Sequence, residues 1–248
     1  MSANALPGLL RSLRLPTIAR EYDGAIQRAE AEDWGYQRLL GFLFEAEGND
    51  RLQRKIDRQL KESNLPKSKT LEALDQKRLP EKIRRQIPTL LEPDFLRRGD
   101  NLLCFGLAGR GKTHLAAALG REWIRRHQFR VLFVPAFKLV NQLLAAKRDL
   151  RLPQVIARLH RFDAVVIDDI GYVQHSRDEM EVLFQFLAER YENKSVVITS
   201  NLVFSQWDKI FKDPMTTMAA VDRLVHHATI LEFTGESIRA NAAKKRQS

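Results

Sequence analysis

Gly106-Leu107-Ala108-Gly109-Arg110-Gly111-Lys112-Thr113 is a complete G-x-x-x-x-G-K-T stretch. The apolar run Leu102-Leu103-Cys104-Phe105 precedes it, and the helix formers His114-Leu115-Ala116-Ala117-Ala118-Leu119 follow. Strand, glycine-rich loop and helix in that order are the setting a phosphate loop requires. Glycines let successive backbone N–H groups turn inward around phosphate oxygens, and the N-terminus of the next helix adds partial positive charge. The nucleotide-binding candidates are therefore Gly106, Gly109, Arg110, Gly111, Lys112, Thr113 and His114. Lys112 is expected to reach the β- and γ-phosphates of ATP, and the Thr113 hydroxyl to hold Mg²⁺. The alternative, a glycine turn opening an ordinary helix, leaves the full motif unexplained.

Downstream of the loop the pattern alternates between strand and helix. Strands are predicted at Leu102 to Phe105, Val131 to Val134, Ala164 to Asp168, Ser195 to Ser200 and Thr229 to Phe233. Helices are predicted at Thr113 to His127, Ala136 to Lys147, Pro153 to Arg161 and Asp178 to Glu192. Such an order implies an α/β fold, a parallel sheet covered by helices on both faces. The third strand, Ala164-Val165-Val166-Ile167, ends in Asp168-Asp169. Strand ends of these sheets converge on the bound ligand. Asp168 is the candidate Mg²⁺ partner, and Asp169 the candidate for orienting the attacking water or accepting its proton. The strand Val196-Val197-Ile198-Thr199-Ser200 leads to Asn201, which points towards the γ-phosphate if this strand lies between the two motif-bearing ones. Otherwise Asn201 simply caps the next turn.

Ahead of the loop, Ile18, Tyr22, Ala25, Ile26 and Ala29 fall at helical spacing within Pro16 to Asp33. Leu39, Leu40, Leu43, Leu52, Ile56 and Leu60 continue the pattern over Gln37 to Lys61, so residues 1–66 read as a small all-helical domain. Gly48-Asn49-Asp50 is expected to kink or interrupt the second helix, since a mid-helix glycine costs about 1 kcal/mol relative to alanine. Residues 67–100, with Pro80, Pro88 and Pro93, read as a linker with short helical pieces. Residues 101–248 form the α/β domain.

The chain has 248 residues and a net charge of +10, with 19 Lys and Arg against 15 Asp and Glu through residue 99 and 22 against 16 beyond it. A spread-out basic excess points to an anionic partner larger than a nucleotide, duplex DNA first, with a merely solvated basic surface as the alternative. Arg51, Arg54, Lys55 and Arg58 form a stripe at i, i+3, i+4 and i+7 that either tracks a phosphate backbone or is a solvated face balanced by Asp57 and Glu62. Lys147, Arg148 and Arg151 are DNA-contact candidates on the same terms. His226 and His227 are adjacent, so they are expected to point apart and to be structural or surface residues without a metal. One cysteine and no C-x-x-C pair exclude a disulfide framework and a cysteine-based zinc site. With no leader pattern and no apolar run near 18 residues, a cytoplasmic protein is expected.

Taken together, the motifs resemble the AAA+ ATPases, in particular the DnaC/IstB branch of helicase loaders and bacterial transposition helpers. Gly106 to Thr113 is similar to its Walker A, Asp168-Asp169 to its Walker B, and Thr199-Ser200-Asn201 to its sensor 1. Val221-Asp222-Arg223-Leu224 resembles the box whose arginine finger, here Arg223, acts on a neighbour's ATP. Gly235-Glu236-Ser237-Ile238-Arg239 resembles the sensor 2 segment ending in Arg239. Leu15-Pro16-Thr17 before a helical hairpin, and Lys69-Thr70-Leu71-Glu72, look closer to the IstB helpers than to the DnaC loaders. Leu107, Ala108 and Arg110 depart from the Pro-Pro and small residue common in the branch, and Ile238 replaces an aromatic. Nine residues follow Arg239, too few for a helical lid, so a neighbouring subunit is expected to close the nucleotide site. The resemblance implies an Mg²⁺-dependent ATPase forming a homo-oligomeric ring or filament on duplex DNA and assisting a transposase. Its alternatives are a loader for a replicative helicase, or an ATP-gated DNA-binding scaffold with negligible turnover.

Overall fold

Five parallel strands carry the nucleotide-loop half of the protein. A computed structural model describes residues 5–172, 176–202 and 224–234. The strands are β1 (Asn101–Phe105), β2 (Val131–Pro135), β3 (Ala164–Asp168), β4 (Ser195–Ser200) and β5 (Ala228–Glu232), in the order β2-β3-β4-β1-β5. All four pairings are parallel, as the near-continuous apolar strands demand of a sheet buried on both faces. Strand β4 lies between β1 and β3, the order on which the expected orientation of Asn201 depends.

The pleat divides the core. Leu103 and Phe105 of β1, Val165 and Ile167 of β3, and Val196 and Ile198 of β4 share one cluster with Leu139, Leu143, Ile156, Leu159, Leu183 and Phe186. Those partners come from α7 (Ala136–Arg148), α8 (Leu152–His160) and α9 (Arg177–Arg190). The alternate residues Leu102, Cys104, Val166 and Val197 are equally buried and face the other way, where α6 (Lys112–His127) lies along the sheet. The single thiol, Cys104, is pushed up to about 12 by that burial, which removes it as a nucleophile at neutral pH. Arg190 is buried under α8 and β4, where it donates to the carbonyls of Leu159, Phe162, Asp163 and Ser195. Desolvation pulls its pKa down to about 9, so it still carries its charge at neutral pH and its donors hold the edge of that layer together.

Residues 67–100, read as a linker with short helical pieces, form short helices that pack. The chain divides into units of residues 1–58 and 59–248, and the proline-rich segment belongs to the larger unit. Its helices α4 (Glu81–Leu91) and α5 (Pro93–Arg97) bury Ile83, Ile87, Leu90, Phe95 and Leu96. The indole of Trp123 donates to the Leu90 carbonyl at 2.8 Å and stacks on Phe95 with ring centroids 5.9 Å apart. Helix α6 is thereby covered on the side away from the sheet, which is why Leu115 to Leu119 are all fully buried. Two of its prolines start helices, Pro80 capping α4 and Pro93 opening α5, while Pro88 sits inside α4. Further back, the Ser63 carbonyl accepts from the Phe133 N–H at 2.7 Å and covers the free edge of β2.

The smaller unit packs α1 (Leu6–Ser12), α2 (Pro16–Ala31) and the first part of α3 (Tyr36–Glu62) around Leu10, Ile18, Ala25 and Leu43. Helix α3 runs through Gly48-Asn49-Asp50 without the expected interruption. Buried Glu47 accepts from the N–H groups of Thr17 and Ile18, at 2.8 and 3.2 Å, and Asp50 accepts from the Thr17 hydroxyl at 2.6 Å. Those carboxylates cap the start of α2 in place of a side-chain N-cap, and the capping bonds outweigh the roughly 1 kcal/mol helical cost of Gly48.

Candidate functional site

Backbone conformation makes the loop after β1 possible. Gly106 has φ +140°, and a Cβ there would overlap the Phe233 carbonyl oxygen, so only glycine fits between β1 and the end of β5. Gly111 caps α6 at φ 97°, the left-handed region, which sends the chain directly from loop to helix. Within this turn Lys112 is buried and donates to the carbonyls of Gly106 and Leu107 at 2.5 and 2.9 Å. Burial lowers its pKa, while the carboxylates of Asp169 and Asp168 work against that shift. The amine from the first motif and the two acids from the second therefore share one electrostatic site.

Asp168 and Asp169 are tied together by a residue whose place in its motif assigns it no chemistry. Thr199, buried in β4, donates its hydroxyl to Asp168 Oδ1 at 2.7 Å and accepts from the Asp169 N–H at 2.9 Å. This clamp holds Asp169 at φ 66°, an uncommon conformation for a residue with a side chain. A polar residue at the end of an otherwise apolar strand was the available signal. Asn201 follows two residues later; its Oδ1 is buried without a hydrogen-bond partner among the described residues. A Cβ on Gly171 would overlap that oxygen, so a larger residue there would have to displace the Asn201 amide.

A cavity of about 230 Å³ opens beside the loop, lined by Gly109, Gly111, Lys112, Thr113 and His114 together with Lys69, Ala73, Leu74 and Asp75. The last four come from the stretch read as linker. His114 holds them in place, one of its ring nitrogens lying 2.9 Å from the Thr70 carbonyl. Arg110 turns elsewhere: its guanidinium donates to the Phe233 carbonyl at 2.9 Å, latching the loop to the end of β5. Thr113 and Asp168 offer the hard oxygen donors that Mg²⁺ takes. A buried ammonium at a helix N-terminus beside a cavity suits a polyphosphate. Arg223 and Arg239 lie outside the described residues.

The basic candidates fare unevenly. Glu47 sits 3.3 Å from Arg51 and 3.4 Å from Arg54, and Asp50 sits 3.0 Å from Arg54. For Arg51 and Arg54 the balancing carboxylates are Glu47 and Asp50. Lys55 and Arg58 are exposed on the same helix. Lys147 pairs with Asp178 and Glu181 at 3.3 and 2.9 Å, the hydrogen bond to Glu181 leading the rise in its pKa, and Arg151 lies 3.5 Å from Asp149. Arg148 is exposed. No described helix is long and apolar enough to cross a membrane.

Comparison with known proteins agrees with this geometry. The family described as IstB-like ATP binding protein matches residues 8–247. An insertion sequence ATP-binding protein of Sinorhizobium fredii is 42% identical over 236 residues, covering 95% of this chain and 79% of that protein. The insertion sequence IS21 ATP-binding protein of Pseudomonas aeruginosa is 34% identical, covering 96% and 89%. Among solved structures, the DnaC helicase loader aligns with a TM-score of 0.53 at 19% identity, covering 62% of this chain and 89% of that one. The replication initiator DnaA bound to AMPPCP and single-stranded DNA aligns at 0.59 and 17%, covering 74% and 55%. These likenesses show the AAA+ fold, and the chain belongs to the IstB-like ATP binding protein family.

Proposed function

We propose that this protein hydrolyses ATP with Mg²⁺, assembles with copies of itself on duplex DNA, and assists a transposase. The observation that carries the enzymatic part is the Thr199 clamp, because it presents Asp168 and Asp169 to the same site as Lys112 in two distinct settings. In this reading Lys112 and the loop N–H groups bind the β- and γ-phosphates, and Thr113 with Asp168 holds the metal. Mg²⁺, when bound, supplies a Lewis acid that neutralises charge on the phosphate oxygens. Asp169 orients a water and takes its proton, and Asn201 positions that water from the neighbouring strand. Lys69, Ala73, Leu74 and Asp75 form the wall for the nucleoside. Arg223 completes a neighbour's site and Arg239 senses the γ-phosphate, roles carried by their motifs alone.

The transposition part is supported by the insertion-sequence relatives, whose descriptions name ATP binding and an insertion sequence. Likeness to a helicase loader is a likeness of fold and does not favour that partner. The test is steady-state ATP hydrolysis with and without duplex DNA, followed by a pull-down in which a transposase and a replicative helicase compete as baits. DNA-stimulated turnover and capture of the transposase are expected. Binding without turnover would leave an ATP-gated scaffold, and capture of the helicase alone would replace the assigned partner.

A further inference from the structure

At the opposite, N-terminal ends of the strands, three side chains converge that the ATPase reading does not use. Glu192 lies in the turn between α9 and β4, and His226 and His227 immediately precede β5. All three are exposed, and one ligand atom from each lies within 4.8 Å of the others. The histidines do not point apart as their adjacency predicts. Their rings pack edge to face with centroids 4.3 Å apart, and His227 Nε2 lies 3.8 Å from Glu192 Oε1. The backbone beneath is held independently. Asn101 donates its N–H to the His227 carbonyl at 2.8 Å and its amide to the Leu224 carbonyl at 3.2 Å, and it accepts from the Val196 N–H at 2.9 Å. The starts of β1, β4 and β5 are thus fixed to one another by a single residue, so the three ligands are presented on a rigid base.

We infer that Glu192, His226 and His227 form a surface site for one divalent transition-metal ion of the zinc class. Two imidazole nitrogens and one carboxylate are a donor set that zinc accepts and that magnesium and calcium, which prefer all-oxygen shells, do not. Around a tetrahedral zinc, donors at about 2.0–2.1 Å from the metal stand roughly 3.3 Å apart, so the present spacing closes by side-chain rotation in solvent. The Tyr191 hydroxyl, 3.3 Å from His226 Nδ1, occupies that nitrogen and leaves Nε2 as the ligand. Three protein donors leave a fourth position for water. Bound metal would staple the α9–β4 turn to the segment leading into β5, and Arg223 stands three residues before His226 in that segment. The metal would therefore restrain the chain next to the arginine on which a neighbour's hydrolysis depends under the proposed function; the site itself does not rest on that function.

Isothermal titration of the untagged, nucleotide-free protein with Zn²⁺, in millimolar Mg²⁺ to occupy hard oxygen sites, tests this directly. One saturable equivalent is expected, with affinity falling about tenfold or more in His226→Ala and in His227→Ala, and falling also in Glu192→Gln. Binding should weaken as pH is lowered, because only neutral imidazoles bind metal. Co²⁺ in place of Zn²⁺ should give a visible absorption band in the parent protein and none in the double variant His226→Asn/His227→Asn, whose circular dichroism matches the parent. No saturable binding, or binding unchanged in that double variant, would overturn the site. Either result leaves the assignment of Lys112, Asp168 and Asp169 untouched.

Discussion

The rim of the nucleotide site and the basic stripe of α3 both appear in the sequence as spaced polar residues, yet the structure treats them in opposite ways. Around the loop, the ionic groups are fixed by backbone carbonyls and by the Thr199 hydroxyl, and Lys112, Asp168 and Asp169 share one field beside an open cavity. On α3, the cations at Arg51 and Arg54 are balanced by carboxylates one and two turns earlier on the same helix. A motif whose members come from different strands keeps its chemistry for a ligand. A charge pattern confined to one helix is free to satisfy itself.

The most severe way to break the first half of that comparison is Arg223→Ala. ATP binding should persist, while hydrolysis falls by about 10³ to 10⁵ if the arginine acts on a neighbour's nucleotide. Mixing this variant with Lys112→Ala, which should not bind ATP, should restore part of the activity. A mixture as inactive as its components would place the arginine outside any shared site.

Asp169→Asn should retain nucleotide binding and lose about 10² to 10⁴ in hydrolysis, the usual contribution of a positioned general base. Turnover at the parental rate would remove Asp169 from the mechanism. A smaller effect is expected for Thr199→Val, which keeps the shape of the side chain and deletes both clamp bonds. Activity should drop about 10- to 100-fold, and the Mg²⁺ concentration for half-maximal rate should rise. A purely structural role would lower the melting temperature without moving that Mg²⁺ dependence.

On the helical unit, Glu47→Ala strands two N–H groups at the start of α2 and leaves Arg51 and Arg54 without their shared partner. A loss of about 1–3 kcal/mol in the stability of that unit is expected from chemical denaturation. Undiminished stability would free both arginines for another role. The gentlest test is Lys55→Glu with Arg58→Glu, which removes exposed cations of the stripe and leaves the Glu47 network in place. The slope of log affinity for duplex DNA against log salt should flatten by about 0.9 for each phosphate that is no longer neutralised. An unchanged slope would make the stripe a solvated face.

Much of this was legible from local pattern. The strand, loop and helix around Gly106 to Thr113, the acids after β3 and the alternating order of elements each rest on residues close in sequence, and the five strands form within one or two residues of expectation. The packing of residues 81–97 was less legible, because prolines at helix starts look like prolines in loops until Leu90 and Phe95 are seen against Trp123. The interruption of α3 is absent for a related reason: Gly48 weakens the helix locally, and the compensation comes from Thr17 and Ile18, about thirty residues away.

By itself, then, the sequence determined the phosphate loop, the paired aspartates and the parallel α/β sheet, since backbone geometry and strand burial follow from short-range residue choice. Only the tertiary structure decided that Thr199 clamps both aspartates, that Arg110 latches onto Phe233, that residues 69–75 wall the cavity, and that Glu192 meets His226 and His227. Each of those depends on side chains brought together across strands and turns. No periodicity within one segment encodes such a meeting, because the distance between its members is set by sheet order and packing.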